Sequence, residues 1–297
     1  MMTCYTPTLL TLFSSIFFLS TVTAVDEKKI VVVVPSYNNA EWYLQNLSSI
    51  FMQEYDNYRV IYIDDCSTDG TADLVEQYMY EVGQADRVTL IRNTEHKGHL
   101  YNHIYAINLI PDDAIVVQID GDDWLRLDEG VRTDIFLMLN EIYDDPNVWL
   151  TYGSYYRYPY GNLGTCQEFP DDVVANASYR NYQWVSSHLR TFYAWLFKLI
   201  NPLDFIYTGT DPDYVGKFWP AAADLSFMFP MLEMADGRYQ YVPDVIYAYN
   251  RANPLNLCIG DRQAVQRECA GLVRAKQQYK PLSDEIYTYY MKRAAHA

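Results

Sequence analysis

Residues 30–34 form an unbroken run of β-branched side chains, Ile30-Val31-Val32-Val33-Val34. With no alternation of apolar and polar positions, the run predicts a strand buried on both faces. Residues 40–53 then read as a helix, with Asn38 and Asn39 available at its N-terminus. A second strand is expected over 60–63. Asp69 can cap the helix after it, whose stripe Leu74, Val75, Tyr78, Met79 and Val82 recurs at helical spacing. The pattern continues with a strand over 87–92, a helix over 99–109 and a strand over 114–119. An amphipathic helix over 128–143 runs through Val131, Ile135, Leu139 and Ile142, and 148–152 is strand-like again. Residues 152–184 show no periodicity, and an excursion that long is often functional. Helices are expected over 186–200, 224–235 and 262–279, with a strand or hairpin over 239–249.

Strands alternating with helices of this length imply an α/β fold, a mostly parallel central sheet with helices on both faces. In such sheets ligands bind in the crevice beyond the carboxyl ends of the strands. Three segments fall there: Pro35-Ser36-Tyr37-Asn38, Asp64-Asp65-Cys66-Ser67 and Asp120-Gly121-Asp122-Asp123.

The 297 residues carry a formal charge of -16, which argues against a general nucleic-acid binder because phosphate backbones need a cationic surface. What matters more is where the acid clusters. Three carboxylates within residues 120–123, at a strand end, repel one another unless a cation or strong donors are present. A hard dication held there would neutralise the diphosphate that departs when a sugar leaves a nucleoside diphosphate. The plainer alternative is an acidic loop capping the next helix. In 64–71, a carboxylate can accept a proton from uracil N3, while Ser67 and Asp69 shape a turn. Tyr37 can stack on a base, or simply pack.

Together these segments resemble the family 2 glycosyltransferases, which have the A-type nucleotide-sugar-binding fold. The resemblance rests on Val33-Val34-Pro35-Ser36-Tyr37-Asn38, on 64–71 and on 120–123, in order and spacing, and covers residues 30–150. It implies an inverting transfer of a sugar from a nucleotide-sugar donor, UDP-linked, to a glycan, lipid or protein acceptor. By the same resemblance Pro35, Tyr37 and Asp65 hold the uridine, Asp120 contacts the ribose or sugar, and Asp122 or Asp123 ligates Mn²⁺ or Mg²⁺. Residues 28–150 would be the donor half, and 151–297 the acceptor half and C-terminal helices of the same domain.

The family commonly places a Glu-Asp pair on a helix near the acceptor. Here Ala223 precedes Asp224, which leaves Asp224 alone as general base or, alternatively, as a helix cap. The missing partner motivates a rival reading, a non-catalytic carbohydrate- or nucleotide-binding protein derived from a transferase. A sugar nucleotidyltransferase is disfavoured, since no Gly-rich basic loop follows the first strand. His188 or Arg190 can reach the diphosphate and Arg251 can close over it, although a lone basic residue is more often structural. His99 and His103 have zinc-compatible spacing, but the sequence shows neither the Glu of the zinc-protease motif nor a third ligand.

Residues 9–25 are apolar and hydroxyl-rich, short for a membrane span of ~20 residues, and Val22-Thr23-Ala24 suits cleavage after Ala24. A signal peptide over 1–24 is expected, giving a chain in the secretory lumen or exported. The alternative is an uncleaved anchor, because no Lys or Arg precedes the run; membrane contact is expected only in that case. Cys66, Cys166, Cys258 and Cys269 permit two bridges, with free buried thiols equally compatible. Asn46 and Asn176 head glycosylation sequons.

Overall fold

The computed structural model describes residues 27–126, 134–255 and 262–294. Its strands are β1 (Ile30–Ser36), β2 (Tyr58–Asp64), β3 (Val88–Arg92), β4 (Ile115–Gln118), β5 (Trp124–Leu125), β6 (Leu150–Tyr158), β7 (Arg190–Tyr193) and β8 (Tyr239–Asn250). The helices are α1 (Tyr43–Phe51), α2 (Thr71–Glu81), α3 (His99–Leu109), α4 (Ile135–Ile142), α5 (Asp171–Ala175), α6 (Ala194–Lys198), α7 (Ala223–Ala235), α8 (Arg262–Arg274) and α9 (Asp284–Ala294).

All eight strands join one sheet in the order β3-β2-β1-β4-β7-β6-β8-β5. β1 runs parallel to β2 on one side and β4 on the other, and every one of its residues is buried. That is why its sequence needs no alternation. Chain order reverses across the β1–β4 pair, opening a crevice at the carboxyl ends of these strands. β7 is antiparallel to β4 and β6, whereas β6 and β8 run parallel with a register shift around Ser154. α3 packs on β1 and β2. The α/β class and the mostly parallel sheet agree with the sequence.

Three expectations need correction. Residues 186–200 are not one helix: 190–193 form the buried strand β7, and only five residues of α6 are helical. The continuous apolar run from Phe192 to Phe197 hides the change, because periodicity cannot separate a fully buried strand from a buried helix. β6 extends to Tyr158, into the supposed excursion, and residues 171–175 of that excursion are helical. α8 ends at Arg274, and α9 follows where no element was expected. The described part of the 128–143 helix is α4; residues 128–133 and the expected signal peptide lie outside the described residues. Among the described residues no helix is long and apolar enough to cross a membrane.

Cys66, Cys166 and Cys269 are free thiols, and Cys258 lies outside the described residues. Asn46 is fully buried and donates to the Asp120 and Asp123 carbonyls, so the folded chain offers it to no glycosylating enzyme. Asn176 is exposed.

Candidate active site

The first wall of the crevice is a brace between two loops. The backbone N–H groups of Asn38, Asn39 and Ala40, just beyond β1, donate to Ser67 Oγ, Thr71 Oγ1 and Asp69 Oδ2, each at 2.9 Å. Residues 67–71 therefore do more than turn the chain: their side chains fix the loop that carries Tyr37.

Asp65 follows β2 and is buried. Its carboxylate accepts the Lys97 and Gly98 N–H groups at 2.8 Å and Asn93 Nδ2 at 2.7 Å, and lies 3.0 Å from His96 Nδ1. Burial alone would raise its pKa, but these donors together hold it below the usual carboxylate range. A carboxylate offers about four lone-pair directions, so chain groups meet all of them. A base donating to Asp65 would have to displace His96, whose side chain is 58% exposed. Half-exposed Tyr37 sits above it, with its ring 4.6 Å from that of His96. Pro35 is buried in β1 and its carbonyl accepts the Gly121 N–H. His96 had no motif to mark it in the sequence.

The second wall is the turn after β4. A Cβ on Gly121 would lie 2.6 Å from Ser36 Cβ, so only glycine lets this turn close on the end of β1. Asp120 Oδ1 is 2.9 Å from His99 Nε2. Asp122 Oδ2 accepts Asn253 Nδ2 at 2.7 Å. Asp123 is buried, and its two oxygens accept the Tyr247 hydroxyl and the Asn250 N–H, each at 2.7 Å. Asn250, Asn253 and Tyr247 come from β8 and the segment after it, so the second half of the chain clamps a motif of the first. Arg251 stands at the same rim, its N–H donating to the Tyr158 carbonyl.

Asp224 opens α7, and its Oδ2 lies 3.5 Å from Arg190 Nη1. Arg190 is buried and donates Nε–H to Gln118 Oε1 at 3.0 Å, its cross-strand partner on β4. Arg190 Nη1 and Gln118 Nε2 are buried donors with no hydrogen-bond partner among the described residues. His188 is buried, stacked 4.6 Å from Tyr247, and burial followed by Arg190 keeps its pKa well below the usual imidazole value. The structure thus brings Asp120, Asp122, Asp123, Asp224 and Arg251 to the same end of the β4–β7–β8 region. Tyr37 and Asp65 lie across β1.

These residues suit a dication. Burial, then Asp120, push Asp122 up to about 6, and burial with both neighbouring carboxylates pushes Asp123 well above its usual value. Negative charge is therefore uncompensated here, and Asp122 carries an oxygen beyond the one held by Asn253. With no cation present, Asp122→Asn should remove repulsion and stabilise the chain by about 2 kcal/mol, read as a rise in melting temperature in chelator. Mn²⁺ should then raise the melting temperature of the parent but not of the variant.

A mostly parallel sheet with a switch-point crevice, a brace around an aromatic rim and an acid turn facing it define an A-type nucleotide-sugar-binding α/β fold. Residues 31–158 match the family described as Glycosyl transferase family 2. That match takes in somewhat less than half of the chain, and over it the sequence is similar to the family 2 glycosyltransferases. Among curated relatives, it is 27% identical over 129 residues to Glycosyltransferase GlyG of Streptococcus pneumoniae, covering 43% of this chain and 40% of GlyG. The chain spans well under two thirds of the length of such relatives. Among solved structures, S. aureus TarS 1-349 in complex with UDP-GlcNAc superposes with a TM-score of 0.57 at 15% identity, over 89% of this chain and 71% of that one. The mannosyltransferase PcManGT from Pyrobaculum calidifontis, in complex with GDP-Man and Mn²⁺, gives 0.54 at 20% identity, over 91% and 76%. Likeness at that identity speaks for the fold alone.

Proposed function

We propose that the chain transfers a sugar from a UDP-linked donor to an acceptor hydroxyl, inverting the anomeric centre, with a divalent cation on the diphosphate. One observation carries this reading. The acid turn 120–123 faces the Tyr37–Asp65 wall across the β1–β4 crevice, while Arg190 ties Asp224 to the same strand end.

The Tyr37 and His96 rings would flank the base, with Asp65 holding the loop beneath it. Asp122 would hold the cation, with Asp123 fixed behind it by Tyr247 and Asn250. The cation supplies charge neutralisation at the departing diphosphate. Asp224 would accept the acceptor hydroxyl proton as that oxygen attacks the anomeric carbon. The orphan donors of Arg190 and Gln118 would meet sugar or phosphate oxygens, and Arg251 would close the rim. We also read the chain as luminal or exported on the strength of residues 9–25.

Calorimetry with UDP and GDP, each with Mn²⁺, tests the donor reading, followed by hydrolysis of UDP- and GDP-sugars. UDP is expected to bind at least about tenfold tighter than GDP, a difference of about 1.4 kcal/mol, with Tyr37→Ala weakening it by a similar factor. Preference for GDP would overturn the uridine assignment. Binding of neither nucleotide would overturn the transferase reading and favour a carbohydrate-binding protein.

A further inference from the structure

His99 and His103 lie one turn apart on α3. In the sequence they lack a third ligand; the fold brings Asp120 from the end of β4. One ligand atom from each of His99, His103 and Asp120 lies within 4.8 Å of the others. Ligands ~2.1 Å from a tetrahedral zinc ion stand ~3.4 Å from one another. The 2.9 Å between His99 Nε2 and Asp120 Oδ1 is close to such an edge, and the trio needs only a small adjustment to take the ion.

His103 supplies the second, independent observation. It is fully buried, and its Nδ1 stands 3.1 Å from the His99 carbonyl oxygen, an acceptor only. Nδ1 must then carry the proton and donate. That leaves the lone pair on Nε2, which has no hydrogen-bond partner among the described residues. An imidazole with one nitrogen fixed by a carbonyl and the lone pair of the other unmet has the arrangement of a metal-ligating histidine. A buried polar atom left unpaired is otherwise costly.

We propose that His99, His103 and Asp120 form a second cation site, distinct from Asp122 and Asp123, that takes a transition-metal dication of the zinc class. Two imidazoles and one carboxylate favour such a metal over Mg²⁺, which prefers oxygen ligands and retains its waters. The His99–Asp120 hydrogen bond would be replaced by two bonds to the metal. With three protein ligands, one position remains for water or a donor oxygen. The proposal does not depend on which nucleotide the crevice holds.

The test is titration of the full chain, stripped with a chelator, with Zn²⁺, comparing parent, His99→Gln, His103→Gln and Asp122→Asn. At the histidine site Zn²⁺ should bind the parent and Asp122→Asn with the same affinity, and either histidine variant at least about tenfold more weakly, about 1.4 kcal/mol. Loading with Co²⁺ should shift an exchangeable imidazole N–H proton resonance that disappears in His103→Gln. If His103→Gln fails to fold by circular dichroism, the half-exposed His99→Gln decides. Absence of Zn²⁺ binding, equal affinity in the folded histidine variants, or loss in Asp122→Asn alone would each overturn the proposal.

Discussion

Asp224→Asn is expected to lower donor turnover by about 10²–10⁴-fold, the range a positioned general base contributes, while leaving nucleotide affinity nearly unchanged. Asp224 is joined to β4 through Arg190 and Gln118 rather than to the Tyr37–Asp65 wall. Its carboxylate accepts the Leu225 N–H, and the Arg190 guanidinium lies 3.5 Å away. A residue serving merely as a helix cap would show the opposite pattern, with a stability loss of about 1 kcal/mol and turnover intact. Hydrolysis of the preferred donor, calorimetry and a thermal melt together separate the two. Arg190→Gln should reduce turnover in the same direction, because the orphan donor and the partner of Asp224 go together. Equal loss of nucleotide binding and turnover in Asp224→Asn would remove it from the role of base.

The first half of the chain was legible because its signals are local. β1 and residues 60–64 of β2 are buried on both faces and announce themselves by composition, and the acid turn follows a strand that the same rule identifies. What the sequence could not show are the contacts that cross it. Asn250 and Asn253 reach Asp122 and Asp123 from about 130 positions away, and nothing in Tyr249-Asn250-Arg251 reveals that reach. His96 lies in a loop whose form depends on a carboxylate about thirty positions earlier. The 186–200 region failed for a different reason: burial on all sides erases the periodicity on which a helix or strand assignment depends. The missing third partner of His99 and His103 was likewise a matter of topology, since α3 and the end of β4 meet only when both pack beside β1.

Glu233→Ala is expected to destabilise the chain by about 3–5 kcal/mol, because it strands a buried cation. Glu233 and Arg180 are both buried; Arg180 Nε and Nη2 donate to the two carboxylate oxygens at 2.6 and 2.9 Å. The pair is a joint rather than an isolated bridge. Arg180 Nη1 donates to the Val273 carbonyl of α8, the Tyr279 N–H donates to Glu233 Oε2, and Arg274 donates to the Arg180 carbonyl. Both guanidiniums lie over Phe229, at 5.5 and 5.0 Å. Glu233 belongs to α7, so the joint holds the C-terminal elements against the helix whose first turn presents Asp224. A thermal melt checks the prediction, with a drop of roughly 10 °C expected at about 2–4 °C per kcal/mol for a large domain. The double variant Arg180→Met/Glu233→Met, which removes both charges and fills the volume, should recover much of the loss. An unchanged melting temperature in Glu233→Ala would mean that α8 and the segment after it are held by their apolar contacts alone. In that case the orientation of α7, and with it Asp224, would not depend on the buried pair.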